Sequence, residues 1–158
     1  MLKRFKKIFG SLEPEVAELD VVNSRLKLSA AALLVEAALM DENFDETEKI
    51  AIKQVLQRQF DLDEKDANSL LNKAEEEQEK SVDVYKFAQS VNKALAPEDR
   101  EQIIEMLWEV VYADGLLDDY EAALIRKLTG LLHVNDSESA KARQRVLTMK
   151  NQKGEKVI

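Results

Sequence analysis

The chain has no cysteine, one histidine, two prolines and four glycines in 158 residues. Without thiols there can be no disulfide, no thiolate nucleophile and no sulfur-ligated metal. A single imidazole cannot build a histidine-rich zinc site. So few glycines and prolines leave little to interrupt helices, and β-branched residues do not gather in alternating runs. No apolar stretch approaches the roughly 20 residues that cross a bilayer. The opening MLKRFKKIFG is basic but has no apolar core after it, unlike a secretory signal. Cytoplasmic residence is therefore expected.

Charge, by contrast, is plentiful. It makes up 34% of the chain and sums to −8. Lys3, Arg4, Lys6 and Lys7 carry +4 at the extreme N-terminus, which leaves −12 for the rest. An acidic body repels nucleic-acid phosphates and attracts cations or basic partners, so no nucleic-acid binding is expected. Leu2, Phe5, Ile8 and Phe9 share one helical face opposite Lys3, Arg4 and Lys7. Residues 1–10 either stay solvated, or docked on the chain's own acidic body, or make weak peripheral contact with anionic lipid at the inner face of the membrane.

The pattern predicts a single all-α domain of about seven helices over 23–148. Residues 1–22 form a lead-in and 149–158 a frayed tail. Leu26, Ala30, Leu33, Leu34 and Ala37 mark the inner face of a helix over 23–40, and Ile50, Ile52, Val55 and Leu56 that of one over 46–59. A third helix starts after Asp63, a good N-cap, and ends in an acidic run at 75–79 that reads as a solvated face. A fourth follows Ser81, with Val84, Phe87, Val91 and Leu95 inward. Pro97 suits the first turn of a fifth, whose Ile103, Ile104, Leu107, Trp108, Val110 and Val111 predict the most buried element. The sixth spans 119–132 and the seventh begins after Asp136.

Two stretches repeat at an offset of 73 residues. VEAALMDENFDETEKIAIKQVL, from Val35, lies over WEVVYADGLLDDYEAALIRKLT, from Trp108. Glu36 falls on Glu109, Asp41 on Asp114, Asp45 on Asp118, Glu48 on Glu121 and Ile52 on Ile125. Asp63 falls on Asp136, and Phe60 on His133, which is expected to pack at a helix end. Three helices therefore repeat as a second three, with the fourth as bridge, and a pseudo-two-fold is expected to relate them.

Each copy joins its first two helices through an acidic connection. Asp45 with Glu48, and Asp118 with Glu121, fit a capping box that satisfies the free N–H groups of a helix start. Capping does not account for Asp41 and Asp114, which follow helix C-termini, where negative charge is disfavoured. A shared hard cation held by oxygen ligands, Ca²⁺ or Mg²⁺, would relieve the repulsion. The spacing is not that of an EF-hand. Asp41, Asn43 and Asp45 fit its positions 1, 3 and 5, but Glu46 replaces the glycine and Ile52 the bidentate glutamate. Caps alone and caps with a cation both remain open. Glu36 and Glu109, on largely apolar helices, need partners of their own if buried.

At Val111-Tyr112-Ala113-Asp114-Gly115, then Asp118 and Glu121, the chain resembles the tellurite-resistance TerB family. The first copy, Ala38-Leu39-Met40-Asp41-Glu42, then Asp45 and Glu48, follows the same pattern with Glu42 where glycine is usual. The resemblance covers about 24–147. It implies a helical fold of about seven helices with an internal pseudo-two-fold, and a non-enzymatic role in stress or tellurite response, often near the inner membrane. It also implies divalent-cation binding by acidic residues, which carries over to Asp41, Asp45, Glu48, Asp114, Asp118 and Glu121. A protein partner of unknown identity is expected. The alternative is a helical adaptor whose acidic connections are only caps. Metal-assisted hydrolysis finds no nucleophile, general base or phosphate cradle to support it.

Overall fold

The computed structural model describes residues 17–39, 46–80, 84–113 and 119–152, with side chains from residue 24 onward. Among these, seven helices form and no strand: α1 (Ala17–Leu39), α2 (Glu46–Phe60), α3 (Glu64–Lys80), α4 (Val84–Ala94), α5 (Pro97–Val111), α6 (Asp119–Leu131) and α7 (Asp136–Gln152). The all-α expectation holds. Residues 1–10 lie outside the described residues. No described helix is long and apolar enough to cross a membrane.

Two helices hold the centre. In α5 every residue from Gln102 to Val111 is buried. α1 shares that position, since every residue from Ser29 to Val35 is buried as well. A helix covered on all sides has no polar stripe to display. Ala30, Ala31, Ala32, Ala37 and Ala38 give α1 a slim profile, which suits a helix packed against α3, α4 and α5 together. The same order of partners recurs in the second half. α1 lies on α3 as α5 lies on α7, and α2 and α6 each touch both helices of their own unit.

The turns within the two halves match closely. After α2, Asp61 takes a left-handed φ of 55° and the Leu62 N–H donates to the Gln57 carbonyl at 3.0 Å. After α6, His133 takes φ 56° and the Val134 N–H donates to the Thr129 carbonyl at 3.0 Å. Both are helix ends closed by a six-to-one bond. Asp63 Oδ1 then accepts from the Asp66 N–H at 2.7 Å, and Asn135 Oδ1 from the Glu138 N–H at 2.9 Å. The cap of α7 is therefore Asn135, not Asp136. The offset slips from 73 to 72 residues across this turn because α6 stops sooner than α2. His133 accordingly matches Asp61 rather than Phe60 and stands exposed. We expect Asn135→Ala to cost about 1 kcal/mol by thermal denaturation, and Asp136→Ala only a few tenths. The reverse order would restore Asp136 as the cap.

Other sequence expectations shift by smaller amounts. α1 begins at Ala17 rather than 23, and α7 runs on to Gln152, beyond the expected end at 148. Ile50 does not point inward but is 46% exposed. It sits about 200° around α2 from Ile52, on the far side from the buried stripe. Pro97 opens α5 as expected, after an extended Ala96 that makes no side-chain cap bond. Arg100 in that first turn donates to the carbonyls of Leu95, Asn92 and Leu132 at 3.0, 3.1 and 3.3 Å. One guanidinium thus closes the ends of α4 and α6, where free carbonyls favour a cation.

Candidate metal centre beside the acidic connections

Of the six carboxylates implied as ligands, Glu48 and Glu121 are described, and Asp41, Asp45, Asp114 and Asp118 lie outside the described residues. Glu48 occupies the first turn of α2 and Glu121 the first turn of α6, at equivalent positions. Both are buried, at 6% and 5% exposure. A glutamate that merely caps a helix start reaches back to a backbone N–H and can keep its carboxylate in water. These two are withdrawn from water, and each has a polar or charged partner, as a buried carboxylate requires. Among the described residues, no group of three or more histidines or carboxylates is placed to hold a metal.

The residues that flank the two connections converge. Thr47 follows the first connection and Ala113 precedes the second, and both line one cavity of about 210 Å³ between α2, the end of α5 and the end of α7. Arg58 and Glu109 lie in its wall, and Ile50 and Met149 supply apolar surface. Glu109, 7% exposed, receives a hydrogen bond from Arg58 Nη2. This ion pair joins α2 of the first half to α5 of the second. One turn earlier, Glu105 accepts from Arg145 Nε of α7 at 2.6 Å. Burial pulls the Arg58 pKa below its ordinary value, and the neighbouring Glu105 carboxylate opposes that shift. Glu36, the counterpart of Glu109, takes a hydrogen bond from Gln78 Nε2 at 2.8 Å. The expectation that these glutamates need partners is met, by an arginine in one copy and an amide in the other. What sequence reasoning missed is the four-membered chain Arg58–Glu109 and Glu105–Arg145. The visible signal was two glutamates at i and i+4 within the otherwise apolar run from Ile103 to Val111, which no core tolerates uncompensated.

No curated protein and no solved structure matches the chain. A family model described as Tellurite resistance protein TerB does, over residues 27–144. That span takes in both acidic connections, Glu48 and Glu121, and most of the chain, and the chain belongs to the TerB family.

Proposed function

We propose that this TerB-family chain is a non-enzymatic module that holds a divalent cation, Ca²⁺ or Mg²⁺, between its acidic connections, and presents a helical surface to a protein partner in tellurite or wider stress resistance. The observation that carries this reading is the paired burial of Glu48 and Glu121, each directly after a connection rich in aspartate. Two carboxylates sunk at equivalent places, each close in sequence to further aspartates, are oxygen ligands of the kind a hard cation takes. The convergence of Thr47 and Ala113 on one cavity supports a single region served by both connections. The matched turns and packing order support descent of the two halves from one three-helix unit.

Calorimetric titration with Ca²⁺, Mg²⁺ and Zn²⁺ tests the reading. The expected Ca²⁺ affinity is weak, on the order of 10⁻⁴–10⁻³ M for an incomplete, partly exposed oxygen site. At ten times that Kd, preferential binding to the folded state adds about 1.4 kcal/mol, and raises the Tm by roughly 3–6 °C. Asp114→Asn and Asp118→Asn should both shrink that rise. In metal-free buffer Asp118→Asn costs little because asparagine still caps, and Asp114→Asn is neutral or stabilising because it removes charge from a helix C-terminus. Coincident melting curves of the parent chain with and without millimolar Ca²⁺ would leave the carboxylates as caps and favour the adaptor reading.

A further inference from the structure

A second cavity, of about 400 Å³, lies between α6 and α7 with Trp108 of α5 in its wall. Three of its lining residues are polar where the repeat has apolar side chains, while Ala122 and Ala140 replace Lys49 and Asn68. Thr129 keeps the 73-residue register of the helices and stands where the first half has Leu56, both buried, although the turn bond pairs its carbonyl with that of Gln57. Under the 72-residue offset that follows the turn, Ser139 replaces Ala67 and Arg143 replaces Leu71. Leu56, Ala67 and Leu71 are buried. Three polar side chains thus occupy positions that are apolar core in the other half, and all three line this one cavity.

Each is held in place and keeps bonding capacity. Trp108 Nε1 donates to Ser139 Oγ at 3.3 Å, and the Ser139 hydroxyl proton meets no acceptor among the described residues. Thr129 Oγ1 donates to the Ile125 carbonyl at 2.6 Å, and its lone pairs stay open. Arg143 Nε donates to Tyr112 Oη at 2.7 Å, and its guanidinium lies 5.6 Å from the Trp108 ring centre and 5.8 Å from that of Tyr112. Arg58 and Arg145 each pair with a glutamate. Arg143 has no carboxylate partner among the described residues, and neither does Arg126, exposed on the same cavity.

We propose that this cavity binds a small organic carboxylate. The terminal nitrogens of Arg143 offer the planar fork that fits a carboxylate in bidentate fashion, with Arg126 adding a second positive charge. Trp108 and Ile125 give the hydrocarbon body an apolar wall. Asp136, also lining the cavity, opposes a second negative charge and so favours a monoanion over a dianionic phosphate.

Trp108 is the only tryptophan in the chain, so its fluorescence reports on this cavity directly. The full chain is titrated with benzoate and hexanoate, with benzamide, hexanamide and phenyl phosphate as comparisons. A saturable emission change is expected with the carboxylates and not with the amides. Arg143→Lys keeps the charge but loses the fork, and should weaken binding about tenfold. Arg126→Gln should weaken it less. Thr129→Leu installs the first-half residue, and should abolish the response while leaving the melting temperature unchanged or raised. The proposal is overturned if carboxylates give no saturable response, if the amides match them, if phenyl phosphate binds more tightly, or if well-folded Arg143→Lys and Thr129→Leu proteins respond like the parent. If Arg143→Lys fails to fold, Arg126→Gln and Thr129→Leu decide.

Discussion

Leu34→Ala is expected to remove about 2–5 kcal/mol of stability, lowering the Tm by roughly 5–15 °C. Leu34 is fully buried in the C-terminal half of α1, the helix that α3, α4 and α5 all pack against. Its neighbours Ala30, Ala31, Ala37 and Ala38 are small and already in close contact with surrounding helices. Little side chain is therefore at hand to collapse into the vacated space, which places the cost toward the upper part of that range. Leu39→Ala, at the 39% exposed end of the same helix, is the comparison and should stay within about 0.5 kcal/mol. Chemical denaturation of both variants with an unchanged m-value checks the pair. Equal costs would show that α1 is not the centre of the core.

Arg58→Ala should cost about 2–3 kcal/mol. The full penalty for stranding one partner of a buried pair is about 3–5 kcal/mol, and it is discounted because the Arg58 side chain is 34% exposed. Glu109, at 7% exposure, would keep its charge in a poorly solvated site with its cation gone. Converting the pair together, Arg58→Met with Glu109→Leu, should bring stability back to within about 1 kcal/mol of the parent or above it. The double-mutant cycle is the measurement, and a coupling energy near zero would show that solvent already screens the pair. Because the two residues sit in different halves of the chain, this interaction also tests whether the halves are held in register by charge as well as by the apolar core.

The helices were legible because each rule that marks them acts locally. The i, i+3, i+4 pattern at Leu26, Ala30, Leu33, Leu34 and Ala37 matches the buried face of α1, and Asp63 and Pro97 sit at the helix starts that their chemistry suits. Errors came where two local rules were nearly equal. Asn135 and Asp136 are both good caps, and which one is used depends on where α6 ends. Ile50 is apolar and close to the right spacing, yet it lies on the outer face. Of the candidate site, the sequence marked Glu48 and Glu121 as an equivalent pair but could not tell a solvated cap from a buried carboxylate, since burial depends on residues far away in the chain.

By itself, the sequence determined the helical class and the family pattern. Each of these rests on periodicity and short spacings, which backbone geometry fixes within a few turns. Only the tertiary structure decided that Arg58 answers Glu109 across 51 residues, that Arg145 answers Glu105 across 40, and that Thr129, Ser139 and Arg143 meet around Trp108. A charge inside a core must find its counter-charge, but the sequence fixes only the need. Which arginine arrives depends on how helices cross, and that is set by the packing of side chains such as the alanines of α1.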